Sequence, residues 1–154
     1  MEKSCGIRGH VQPYALTVVR LVLGIIFLMH GSQKVLGLFG GGGLAATVQG
    51  MTQMGMPALL AYVVSFTEFL GGIALLFGLL TRLAALGIMI DMIGAIATVH
   101  GKNGFFINWF LKPGVGHGYE YNLALISMSL ALILGGSGPL AVDNFCCNKK
   151  ETLA

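Results

Sequence analysis

Apolar residues in this chain gather into long runs, and the prolines fall between the runs. Pro13 precedes the run Tyr14 to Leu36, and Pro57 precedes Ala58 to Leu80. Pro113 lies in a polar stretch before Tyr119 to Leu134, and Pro139 follows that run. Proline is tolerated at a helix start and just past a helix end, so this placement marks helix boundaries. A further run, Leu83 to Val99, is separated from its predecessor by little more than Thr81 and Arg82. Crossing ~30 Å of hydrocarbon takes about 20 helical residues, with about 17 as a lower limit. The pattern predicts four spanning helices, at approximately 14–36, 58–80, 82–100 and 119–138. The last reaches that length only through Gly135 and Gly136. Alternating polarity over about ten residues, which a membrane barrel needs, is absent, and an open sheet in lipid would leave its edges unpaired. The expectation is an all-α, four-transmembrane-helix bundle forming a single domain over 1–154.

Composition points the same way. Of 154 residues, 55% are hydrophobic and 10% charged, against roughly 25% charged in an average soluble domain. Too few charges are present to cover a water-soluble globule, and disorder needs the opposite balance. The net charge of +3 reads as membrane-flank Lys and Arg, so no nucleic-acid partner is expected and lipid is. With four spans, Lys3, Arg8, Arg20, Arg82, Lys149 and Lys150 share one side, and Lys34, Lys102 and Lys112 the other. That excess places both termini in the cytoplasm. The first run is too long for a secretory signal core, and no A-x-A site follows closely, so it is expected to remain as an anchor.

Two connections are more than turns. Leu38 to Met56 is a Gly/Met-rich first outer loop, with Gly40 to Gly43 followed by Met51, Met54 and Met56, which are expected to lie along the membrane as a short interfacial helix. His100 to Gly118 is an aromatic second outer loop, with Phe105, Phe106, Trp109 and Phe110 at headgroup level. Cys5, Cys146 and Cys147 fall in the cytoplasmic tails, as free or lipidated thiols.

Ionisable residues inside the spans are the candidate chemistry. Arg20, His30 and Lys34 lie in the first span, Glu68 in the second, Asp91 in the third, and Glu120 opens the fourth. Glu68 is about 16 Å inward from Pro57, and Asp91 about 13 Å from Arg82, so both acids sit near the midplane. Arg20 starts roughly 9 Å above the inner boundary, with an arm long enough to reach upward. Counted along straight helices, Lys34 is too far from Glu68 for contact. The expected pairs are Arg20 with Glu68, Asp91 or both, and Lys34 with Glu120. His30, Lys34, His100, His117 and Glu120 are expected to form an outer polar cluster. These histidines are spread over three elements without metal-ligand spacing, so no metal is assigned. Buried ion pairs that only set helix register are the competing reading. Gly71, Gly72 and Gly78, with Gly87 and Gly94, are expected to allow close helix approach. The four-glycine run lacks the Lys-Ser/Thr of a phosphate loop, and neither a Ser-His-Asp order nor an HExxH motif occurs.

Together these features resemble the DoxX family of small four-helix membrane proteins. The resemblance runs from Arg20 to Asp143 through Arg20-Leu-Val-Leu-Gly-Ile-Ile-Phe, His30-Gly31-Ser32-Gln33-Lys34, Glu68-Phe-Leu-Gly71-Gly72 and Gly78-Leu-Leu-Thr81-Arg82. It continues through Val99-His100, Asn103-Gly104-Phe105-Phe106 and Gly118-Tyr119-Glu120-Tyr121 to Gly138 and Asp143. Ser32 stands where an aromatic is common, and Ala141-Val142-Asp143 where Ser-Leu-Asp is common. The resemblance implies a polar core of Arg20, Lys34, Glu68 and Glu120, with Arg82 at the inner turn; Asp91 lies outside the pattern. It implies a bacterial or archaeal cytoplasmic (inner) membrane and a link to thiosulfate:quinone or thiol-stress oxidoreductase systems. The function so implied is that of a membrane subunit of a redox-linked system, binding a small hydrophobic molecule at its polar core. A quinone is the candidate cofactor. Electrons would come from oxidoreductase partner subunits, since the chain shows no ligand set for a redox centre. A homo-oligomer is compatible with this reading. The alternative is a non-enzymatic scaffold or assembly protein; a transporter is disfavoured by the lack of an inverted repeat.

Overall fold

The computed structural model describes residues 8–145. Cys5, Cys146 and Cys147 lie outside the described residues. Among the described residues all regular structure is helical. Helix α1 is Arg8–Val35, α2 Gly43–Gln53, α3 Ala58–Phe77, α4 Thr81–Ala95 and α5 Glu120–Gly135. A π-helical turn, Ile96–His100, and a 3₁₀ turn, Gly101–Asn103, prolong α4. The stretches Tyr14–Val35, Ala58–Phe77 and Thr81–Asn103 are long and apolar enough to cross a bilayer. Helix α5 is a shorter apolar helix of 16 residues, about 24 Å. The protein is a four-helix membrane bundle of α1, α3, α4 and α5. Helix α3 packs on α1 and α4, and α5 packs on α4 and α1. The short α2 lies against α1 and α3, with Val48 buried. It includes Met51, whereas Met54 and Met56 follow its end.

Large apolar residues face outward on every spanning helix, among them Val18, Ile25, Val63, Leu70, Ile90 and Leu134. The interior mixes Leu23, Phe27, Leu75, Ile88 and Leu132 with Ser65 and Ser129. Each serine hydroxyl donates to a carbonyl one turn back in its own helix, at 2.8 and 2.9 Å, so it is buried without an unmet donor. Oil outside and small or polar residues inside is the arrangement of a bundle in lipid.

Glycine sets the closest helix pair. A methyl group at Gly31 would stand 2.4 Å from the Phe69 backbone, and one at Gly72 only 2.3 Å from Leu28 N. Gly24 meets Leu76 in the same register. Gly71 and Gly87 serve the α3–α4 contact against Ile88 and Thr67. Gly94, by contrast, has no neighbour within 4 Å of an added methyl, so it is not a packing glycine.

The α3–α4 turn is Gly78–Leu80, and Thr81 and Arg82 already belong to α4. Gly78 ends α3 at φ +66°, with Leu79 N–H returning to Ala74 O at 2.8 Å. Leu80 then takes a left-handed φ of +48°, unusual for a branched side chain. Asp143 holds it there, accepting the N–H groups of Leu80 and Thr81 at 2.7 and 2.9 Å.

Candidate functional site

A cavity of about 490 Å³ opens at the end of the bundle opposite Asp143. Phe27, Met92, Ala95 and Leu125 supply apolar walls, and His30, Lys34, Glu68 and Asn122 supply polar ones. His100, Ile107, His117 and Tyr121 line it from the aromatic loop side. Phe27, His30 and Lys34 are spaced by three and four residues, which puts them on one face of α1.

Lys34 and Glu68 form an ion pair at the cavity, with Glu68 buried and Lys34 partly exposed. This corrects both expected pairings. Side chains on a helix lean toward its N-terminus. Lys34 therefore reaches back down α1 into the bundle, and Glu68 on antiparallel α3 leans up to meet it. The glycine-packed register assists, because Gly31 against Phe69 puts Lys34 level with Phe66, two residues from Glu68.

The same lean carries Arg20 away from both acids. Its Nε donates to Ser137 O at 2.9 Å, and its Nη1 to Leu75 O and Leu76 O at 2.6 and 2.9 Å. Its Nη2 bonds Leu140 O. The guanidinium thus bonds carbonyls at the end of α3 and just beyond α5, of which Leu75 O also accepts the Gly78 N–H at 3.1 Å. It is a buried structural clamp.

Glu120 also departs from expectation. Its carboxylate accepts the Ile107 N–H at 2.9 Å, and its own N–H donates to Phe105 O at 2.9 Å. It pins the aromatic loop to the start of α5 instead of pairing with Lys34. The loop is further closed by Gly118 N–H on Phe106 O and Tyr119 N–H on Gly104 O. Phe106, Trp109 and Phe110 remain exposed.

His100 Nδ1 lies 3.0 Å from His117 O. A carbonyl only accepts, so Nδ1 carries the proton of this contact. Asn103 donates to the same carbonyl at 3.0 Å, fixing the partner as well. The π turn places His100 here, and such turns recur at functional sites. Tyr121 enters the sequence reading only as the end of Gly118-Tyr119-Glu120-Tyr121, and Asn122 not at all. Asn122 is buried and donates to Met92 Sδ at 3.4 Å, and its only sequence signal was a polar residue one turn into an apolar run.

Asp91 sits behind the cavity, its carboxyl beside that of Glu68 and within the field of Lys34. Among the described residues no group of three or more His, Cys, Asp or Glu side chains is arranged to hold a metal ion. A wider depression of about 810 Å³ near Arg82 is lined by the turn residues and by Asp143, whose carboxylate is already engaged.

Residues 15–101 match the DoxX family model, a stretch that contains Arg20, His30, Lys34, Glu68, Asp91 and His100. A Bacillus subtilis protein named "Putative oxidoreductase CatD" is 34% identical, over 87% of this chain and 88% of its own length. The Escherichia coli inner membrane protein YqjF is 29% identical, over 91% of this chain and 97% of its own. An uncharacterized membrane protein of Mycobacterium tuberculosis is 28% identical, over 85% and 80% respectively. No solved structure matches.

Proposed function

This chain belongs to the DoxX family of membrane proteins, and from that premise we propose that it is the membrane subunit of a redox-linked system, binding a quinone or a similar small hydrophobic molecule in the Lys34–Glu68 cavity. The observation that carries this reading is the cavity itself. Its volume of about 490 Å³ falls within the range of small-molecule sites, roughly 300–1,000 Å³. Its exposed wall area is mainly apolar, and His30, Lys34, Glu68 and Asn122 on the helices and His100, His117 and Tyr121 toward the loop bring polar groups to it. A quinone ring fits the apolar part, and its carbonyl oxygens need donors. Lys34 has N–H groups beyond the one given to Glu68, and Tyr121 adds a hydroxyl. Electrons reach the ligand from an oxidoreductase partner subunit, a role in keeping with the name of the Bacillus relative.

The distribution of basic residues supports a cytoplasmic location for both termini, which puts the cavity on the outer side of a bacterial or archaeal cytoplasmic membrane. The test is quinone binding by purified protein in lipid nanodiscs. Lys34→Met and Glu68→Gln are each expected to weaken binding at least tenfold, equivalent to about 1.4 kcal/mol. Equal affinity in wild type and both variants removes the pair from the ligand site.

A second reading, a non-enzymatic scaffold, is favoured by one observation: Arg20 and Asp143 are engaged with backbone groups and set helix ends. On that reading Glu68→Gln lowers the yield of folded protein, and any ligand phenotype follows protein amount.

A further inference from the structure

Two carboxyl oxygens buried in the bundle have no hydrogen-bond partner among the described residues: Glu68 Oε2 and Asp91 Oδ2. They come from the antiparallel helices α3 and α4, which pack on each other. Gly71 on α3 faces Ile88 on α4, at 3.3 Å from an added methyl to Ile88 Cδ1. Gly87 on α4 likewise meets Thr67 on α3, so Glu68 lies one residue beyond Thr67 and Asp91 four beyond Gly87, and each side chain leans toward its own helix N-terminus, which brings the two carboxyls toward each other. The two carboxyls lie within hydrogen-bonding range of one another. The other oxygen of Glu68 is taken by Lys34.

Buried polar atoms are nearly always paired, so two orphans side by side call for a common explanation. Carboxylates only accept; a carboxylic acid has one O–H to donate. No N–H or O–H donor among the described residues reaches either orphan oxygen. Lys34 from α1 is the single cation of the group, and α5 offers only the neutral Asn122 and Tyr121 nearby. His30, His100 and His117 line the cavity in front.

We propose that Glu68 and Asp91 hold one proton between them, as a carboxylic acid–carboxylate hydrogen bond at the back of the cavity, forming with Lys34 a neutral three-residue proton site. One O–H satisfies both orphans, and one shared negative charge balances one ammonium. Neutrality also fixes what the site does when Lys34 is lost or drawn away: the acid pair takes up a second proton, one per positive charge removed. The inference is independent of which molecule occupies the cavity.

Infrared difference spectroscopy of the full chain in nanodiscs, without added quinone and at neutral pH, tests it through the C=O stretch of protonated carboxyls. Wild type is expected to show such a band, Asp91→Asn to lose it, and Lys34→Met to show about twice its intensity. The asparagine amide supplies a donor to Glu68 Oε2 and keeps the packing, so Asp91→Asn is expected to fold. Glu68→Gln is the second variant and also removes the band. A wild type without the band, or a band that survives both Asp91→Asn and Glu68→Gln, overturns the proposal. A bound sodium or potassium ion in place of the proton gives the first of these outcomes.

Discussion

Arg20 and Asp143 hold the two sides of one turn. The Arg20 guanidinium takes the carbonyls of Leu75 and Leu76, where α3 ends, and the Asp143 carboxylate takes the N–H groups of Leu80 and Thr81, where α4 begins. A cation at a helix C-terminus and an anion at a helix N-terminus each complement the helix dipole. The remaining Arg20 donors reach Ser137 and Leu140, in the same short segment that carries Asp143. These two charged side chains therefore tie α1, the α3–α4 turn and the segment 137–143 after α5 together.

Arg20→Ala removes the guanidinium from four carbonyls at once, and of these Leu75 O keeps the Gly78 N–H. It is expected to destabilise the bundle by about 3–5 kcal/mol, the range for losing one partner of a buried charged network. Arg20→Lys recovers only part of this, because an ammonium cannot reproduce the planar fork. Denaturation in mixed micelles followed by circular dichroism measures both.

Asp143→Ala leaves Leu80 and Thr81 N–H unbound and Leu80 strained. The expected cost is about 1–2 kcal/mol, as for other helix caps. Asp143→Asn keeps an acceptor oxygen and is expected to lose about half as much. The same unfolding assay ranks the three proteins.

At Gly31 and Gly72 an added methyl meets backbone, which cannot rotate away. Gly31→Ala and Gly72→Ala are each expected to cost about 1–3 kcal/mol by forcing α1 from α3. Both are also expected to lengthen the Lys34–Glu68 contact and so weaken cavity ligands. Gly94→Ala, with open space around it, is expected to change neither melting temperature nor binding.

Trp109 is the chain's one tryptophan and is exposed on the aromatic loop. Its fluorescence is expected to be quenched more strongly by nitroxide labels near the lipid headgroups than by labels deep in the acyl chains. Strongest quenching by the deep label would remove the loop from the interface.

Much of the site was legible because charge is costly in hydrocarbon. Lys34, Glu68 and Asp91 stand out from apolar runs, and each sits in the bundle interior or against it. Their partners were not legible. Distances counted along straight helices gave Arg20 to the acids and Lys34 to Glu120, whereas the lean of side chains toward each helix N-terminus moved both arms the other way. His100 could not be aimed either, since a π turn shifts the helix face by a fraction of a turn.

Hydrophobic run length alone determined that this protein is four helices in a membrane, because burying backbone polar groups in oil admits almost no other form. Which charge meets which was decided only in three dimensions. Glycine contacts set the α1–α3 and α3–α4 registers, and a shift of one residue turns a side chain by about 100° around its helix. Such a rotation leaves hydropathy unchanged, and it determines whether Glu68 faces Lys34 and Asp91 or the lipid.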